Sequence, residues 1–281
     1  MQLFCHQWGS RGLPVLALHG HPGRGDCMEV FAESLVSTGE FQVVAPDLRG
    51  YGRSQVRDPY TLQAHLWDLQ ALVETRGWQR FGILGWSLGG ILGLELALQQ
   101  PQRVLGLTLI ASSACPQGSH PPVPWWLEAN TALVSLLNLL LPGHPWVMAL
   151  GKWSLYRYLI GRHTPPTYRF LARHAVPAYL QTSPYAHQAL RQALRQPYNR
   201  LPALASLGIP SLVLAGARDV HITPESSRCT AQALGAKFRC YEGVAHLFPW
   251  EIPEQVQADV RQWWLGLRRS ESSDPPAEVQ R

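Results

Sequence analysis

Short apolar runs alternate with stretches of helical period through the first 113 residues of the chain. Residues 14–18, 42–45, 81–84 and 104–110 are nearly continuous in aliphatic side chains. They are too short for helices and apolar on both faces, so they read as strands of a sheet covered on both sides. Between them, residues 28–36, 62–75 and 88–99 repeat apolar positions every three or four residues and read as helices. The rhythm resumes late, with strands at 211–215 and 237–241 and helices at 224–234 and 253–267. Strands alternating with helices predict an α/β fold with a mostly parallel central sheet flanked by helices.

Residues 114–204 break that rhythm. They carry many prolines and aromatics, no strand pattern, and helical runs at 126–141 and 185–195. They read as a helical cap inserted between two strands, which divides the core into residues 1–113 and 205–267. The polar, proline-bearing end, 268–281, is expected to be a disordered tail. The run 125–141 is apolar almost all round a helix. Such a helix is buried against the core, or lines an apolar substrate pocket, or forms an interfacial surface.

Composition narrows the class. With 281 residues, 46% hydrophobic and 15% charged, the chain has ample apolar surface for a large core, which excludes disorder throughout. No apolar run reaches the 18 or more residues of a spanning helix, so no transmembrane segment is expected. The longest, 131–150, is interrupted by Pro142, Gly143, His144 and Pro145. The first eight residues lack a basic region followed by an apolar one, so no secretory leader is expected. Five cysteines without Cys-x-x-Cys spacing suggest reduced thiols, and with them a cytoplasmic location.

The net charge of +5 is uneven. Between Cys115 and Arg200, Lys152 and seven arginines meet a single acid, Glu128, so that stretch carries +7 and the remainder −2. Arg169/Arg173 and Arg191/Arg195 are each spaced i, i+4 and would share a helix face. Such a face is either simply solvated or a dock for an acidic carrier protein, an anionic substrate or anionic lipid. No nucleic-acid motif accompanies the charge, and no nucleic-acid partner is expected.

Three motifs carry chemistry. Gly85-Trp86-Ser87-Leu88-Gly89-Gly90 lies directly between a strand and a helix. A Gly-x-Ser-x-Gly turn there holds the serine strained, its hydroxyl above the sheet edge, against the positive end of the helix. Ser87 is the candidate nucleophile, against the plain alternative of a turn serine on an inert scaffold. Asp219, in Gly216-Ala-Arg-Asp219, and His246, in Gly243-Val-Ala-His246, each follow a late strand, where catalytic groups gather in open α/β sheets. In the order Ser, Asp, His they are the candidate acid and base. His19-Gly20-His21-Pro22-Gly23 follows the first strand. The backbone N–H groups of His21 and Leu88 are the candidate oxyanion hole, each donor worth roughly 3 kcal/mol in a transition state. Trp86 is a candidate wall of the substrate pocket. His19 and His21 could pair on a metal, but Gly23 stands where a third, aspartate ligand would be needed, so neither metal nor cofactor is expected. His221 reads as a loop histidine without a role; His65, His120, His144, His163, His174 and His187 read as solvated or satisfied, although one cap histidine could face the pocket.

Together with Asp47-Leu-Arg-Gly-Tyr-Gly-Arg-Ser54, these motifs resemble the α/β-hydrolase superfamily in its cap-bearing branch. The resemblance covers about 3–113 and 205–267. It implies a sheet of eight strands or slightly fewer, with a helical cap after the sixth, and a largely structural role for the 47–54 loop. A serine nucleophile favours acyl chemistry: cleavage of a carboxylic ester or thioester through an acyl-serine. The elbow and Ala111-Ser-Ser-Ala-Cys115 are similar to the pimeloyl-carrier methyl-ester carboxylesterases of biotin synthesis. The Ser-triad lyases of menaquinone synthesis usually carry an arginine where this chain has Ile91. A ligand receptor on the same scaffold is the alternative outside enzymes. The expected substrate is a small ester, partly apolar and able to carry a negative charge.

Overall fold

The computed structural model describes residues 1–119 and 122–273. Seven strands form one sheet in the order β1-β3-β2-β4-β5-β6-β7. They are β1 (Cys5–Trp8), β2 (Leu13–Leu18), β3 (Phe41–Pro46), β4 (Phe81–Trp86), β5 (Val104–Ile110), β6 (Ser211–Gly216) and β7 (Lys237–Tyr241). All neighbours run parallel except β1, which pairs antiparallel with β3. Strands β4, β5 and β6 are buried at every position, as continuous apolar runs between two helical layers require.

The alternation of side chains along β2 divides the interior. Val15 and Ala17 face a core shared with Phe31, Leu35 and Trp264, from helices α1 (Glu29–Val36) and α13 (Pro253–Ser273). Leu16 and Leu18 face the opposite core, with Leu69, Leu92 and Ala231 from α2 (Gln63–Thr75), α3 (Leu88–Gln99) and α11 (Pro224–Leu234).

Between β5 and β6 lie α4 (Trp125–Leu140), α5 (Pro145–Gly151), α6 (Tyr156–Leu159), α7 (Pro165–Phe170), α8 (Val176–Gln181), α9 (Pro184–Leu194) and α10 (Leu201–Leu204). A five-residue π-helical segment, Leu171–Ala175, joins α7 to α8. This helical cap follows the fifth strand rather than the expected sixth, because the described sheet has one strand fewer ahead of it. α12 (Phe248–Glu251) is a short turn before α13.

Two other expectations change. β1, with the sequence Cys-His-Gln-Trp, is an edge strand that the apolar pattern does not reveal. The segment 268–281 begins as helix, since α13 continues to Ser273; its remainder, like His120, lies outside the described residues.

The sheet order places the site. Chain connections leave β2 in one direction to β3 and return to β4 on its other side, so the order reverses between β2 and β4. A crevice opens beyond the carboxyl ends of two strands that diverge in this way. Leu18 and Gly85, paired across β2 and β4, bring the His19–Gly23 loop and the serine turn to that crevice.

Candidate active site

Ser87 connects β4 to α3 with φ 53° and ψ −119°, a left-handed conformation that ordinary side chains avoid. The surroundings hold it there. Its N–H donates to the Ile110 carbonyl at 2.9 Å, and its carbonyl accepts from Ser112 Oγ at 3.0 Å. The flanking glycines are required by close approach: a Cβ on Gly89 would collide with the Leu18 carbonyl, and one on Gly20 would lie 2.9 Å from the Ser87 Cβ. The Leu88 N–H opens the first turn of α3, where no intrahelical acceptor exists.

Asp219 lies just beyond β6 and His246 beyond β7, both almost fully buried, while Ser87 is half-buried. His246 Nδ1 donates to Asp219 Oδ2 at 2.7 Å, and His246 Nε2 lies 3.1 Å from Ser87 Oγ. With the Nδ1 proton donated in a hydrogen bond to the carboxylate, Nε2 is the acceptor and the serine hydroxyl donates to it. Asp219 Oδ1 accepts the N–H groups of His221 and Ile222 at 2.8 and 3.0 Å. Burial pushes the Asp219 carboxyl up, but the adjacent His246 and the two backbone N–H groups outweigh it and hold the pKa below its usual value. The aspartate is therefore ionised and fixed in place.

The remaining expected residues sort by their contacts. His21 follows Gly20 at the crevice; its Nδ1 pairs with the Tyr51 hydroxyl at 2.8 Å, and its ring meets His187 of α9 edge-on at 4.9 Å. Burial, with His187, His19 and Arg191 nearby, lowers the His21 pKa to about 3, so the ring is neutral. Trp86 is 5% exposed and packs between His246, at 5.7 Å, and Trp250, at 4.8 Å. His19 is not free to ligate a metal: its Nε2 accepts the Leu48 N–H at 3.0 Å, which leaves the proton on Nδ1 to donate to the Gly20 carbonyl at 2.8 Å. The 47–54 loop is tied down structurally. Asp47 accepts the N–H groups of Gly25 and Arg53, Arg49 forms a two-pronged pair with Asp68, and Ser54 accepts from Phe4.

Three residues at the site were not foreseen. His221 lies 5.0 Å from the His246 ring. His187 is the cap histidine that meets His21; that one cap histidine could face the pocket was expected, but which one only the tertiary fold supplies. Glu251, at the end of α12, is buried and bridges two regions. Its Oε1 accepts the Ala245 N–H at 3.0 Å, and its Oε2 accepts the Gly161 and Arg162 N–H groups at 3.0 and 2.5 Å. Burial outweighs those three bonds and raises its pKa. Beside it, Phe170 of the cap stacks on Trp250 at 3.8 Å and 13°. An acid after the catalytic-type histidine carries no sequence signal of its own.

Known proteins resemble the chain in sequence and in fold. Over 113 residues the chain is 35% identical to a pimeloyl-[acyl-carrier protein] methyl ester esterase of Edwardsiella ictaluri, covering 40% of this chain and 42% of that protein. Over 121 residues it is 32% identical to the lipase LipV of Mycobacterium tuberculosis, covering 43% and 45%. The matched stretches thus span less than half the length of these curated relatives. The structure of a thermophilic esterase from Thermogutta terrifontis superposes with a TM-score of 0.72 at 26% identity, covering 94% of this chain and 93% of that one. A family model described as alpha/beta hydrolase fold matches residues 14–253. With that match across most of its length, and with the serine turn, aspartate and histidine on the expected strands, the chain belongs to the α/β-hydrolase fold family.

Proposed function

We propose that the protein is a serine hydrolase of carboxylic esters. The observation that carries this reading is the continuous hydrogen-bonded line from Asp219 through His246 to Ser87. In the proposed cycle Ser87 Oγ attacks the ester carbonyl while His246 Nε2 takes its proton. The oxyanion that forms is held by the N–H groups of Leu88 and His21. Collapse expels the alcohol, which leaves with the proton from His246, and the acyl group stays on Ser87. Water, deprotonated by His246, then attacks the acyl-serine and releases the acid. Asp219 keeps the imidazole in the acceptor tautomer and stabilises its cationic form. The cycle draws on side chains, backbone and water alone. A thioester would follow the same path.

In this reading residues 1–113 and 205–267 act as the catalytic core and residues 114–204 as the cap above it. Trp86, packed against His246 and backed by the Trp250–Phe170 stack, would be the wall nearest an apolar part of the substrate. Five free cysteines, none disulfide-bonded, fit a reducing, cytoplasmic location. A carrier-linked ester is a second reading, favoured by the exposed Arg191 and Arg195 of the basic cap and by the named substrate of the Edwardsiella relative.

The test is turnover of a short-chain p-nitrophenyl ester together with labelling by a fluorophosphonate. Wild type is expected to do both, and Ser87→Ala to do neither while remaining folded. A wild-type protein that is neither labelled nor active would leave a non-catalytic receptor. Arg191→Glu with Arg195→Glu is expected to slow a carrier-bound ester and spare the small one; equal loss on both would remove the carrier.

A further inference from the structure

The cap carries an apolar surface that the ester-hydrolase reading does not use. In α4 the buried stripe is Leu127, Val134 and Asn138, with Thr131 between them. An ordinary surface helix would show polar residues on its other side. Here the outward positions, apart from Glu128 in the first turn, are apolar: Trp125 is 79% exposed and Leu140 70%, with Leu133 and Leu136 on the same face between them. The neighbouring α5 continues the patch with exposed Trp146, and Trp153 follows it at 68% exposure. Asn130 Nδ2 donates to the carbonyl of Trp153, two residues past the end of α5, which ties α4 to the chain leaving α5. Eleven of the sixteen large hydrophobics exposed among the described residues fall within 123–153, which makes this a patch and not scatter.

We propose that the outward face of α4 and α5 seats the protein on an anionic lipid surface. Three features select this occupant. At 16 residues α4 is too short to cross a bilayer, and none of the described helices is long and apolar enough to do so, so the helix would lie in the plane of the interface. Tryptophans stand at both ends of the aliphatic stretch, and an indole, apolar with one N–H, is suited to the headgroup boundary. The surrounding charge is cationic: Lys152 and Arg157 are exposed beside Trp153, within a stretch of +7. That charge also opposes a second copy as the occupant, since face-to-face pairing would set one +7 cap against another. An acidic protein would satisfy the arginines but would leave the aliphatic face of α4 without a purpose.

Binding is independent of the chemistry at Ser87, so Ser87→Ala serves as well as wild type and separates this proposal from the catalytic one. The 281-residue protein is sedimented with phosphatidylcholine vesicles, with and without phosphatidylglycerol. The expected result is binding to the anionic vesicles, reduced at high salt, and lowered at least about tenfold in Leu136→Glu with Leu140→Glu. Both positions face solvent, and unchanged thermal unfolding would confirm that the variant folds. Wild-type protein left in the supernatant of anionic vesicles would overturn the proposal. So would binding that survives the glutamates but disappears in Arg191→Glu with Arg195→Glu, which is the behaviour of a charge-only dock for an acidic partner. A dimer abolished by the same glutamates, without vesicle binding, would assign the face to a second copy.

Discussion

The sheet and the cap use apolar residues in opposite ways. In the sheet almost every aliphatic position is covered: Val15, Leu16, Ala17 and Leu18 are at 0% exposure, and Trp264 fills the space over Gly82. In the cap a buried stripe anchors α4 while an equally apolar stripe faces outward. The core satisfies its own pattern, whereas among the described residues the cap leaves much of its apolar pattern uncovered, which is the basis of the proposed lipid contact. An apolar run therefore reports burial in the working state of a protein, which need not be the state of the isolated chain.

The comparison can be tested from both sides. The largest effect is expected at the rim of the sheet, where Asp219→Asn keeps the shape but no longer holds the Nδ1 proton. Ester turnover should fall by about 10⁴-fold with the thermal midpoint nearly unchanged, and steady-state kinetics beside a melting curve checks both. Next is Trp264→Ala, which empties a fully buried site and should cost about 3–5 kcal/mol in denaturant unfolding. A smaller loss would mean that the core is looser than its burial implies.

Acid should weaken the core in a defined direction. Burial first, with nearby charges adding to or offsetting it, holds His19 at a pKa of about 4 and His21 and His65 at about 3, against 6.5 for the free side chain. The unfolded chain therefore binds protons first. Stability present above pH 6.5 is lost as pH falls towards those folded values, each histidine adding about 1.4 kcal/mol per pH unit to the slope. His65→Leu should flatten the slope of unfolding free energy against pH by one histidine's share. The smallest effect belongs to the cap: Leu140→Gln should change stability by less than about 0.5 kcal/mol, since that side chain is 70% exposed. A loss comparable to that of Trp264→Ala would show the outward face to be structural and would remove the contrast.

Much of this was legible in the sequence, for local reasons. The buried parallel strands announce themselves as continuous apolar runs, and the serine turn needs glycines at fixed offsets, so β2 to β7, Ser87, Asp219 and His246 could be placed from pattern and chain order. β1 was illegible because an edge strand is only half covered, and Cys-His-Gln-Trp has neither alternation nor a continuous run. The cap yielded its first and last long helices, but the short ones between are set by prolines and tertiary packing. Arg169 and Arg173 straddle α7 and the π-helical segment, so they do not share one regular helix as their spacing suggested. His187 and Glu251 were invisible for a different reason: each matters through contacts with residues far away in the chain.

Glu251 gives the cap a particular mechanics. One carboxylate grips the chain immediately before the histidine with one oxygen and the cap backbone at 161–162 with the other. A swing of the cap about that point must either drag His246 along or break the grip. Any displacement of the cap at this point would therefore have to stretch or break the bonds that tie it, through Glu251, to the chain that positions His246.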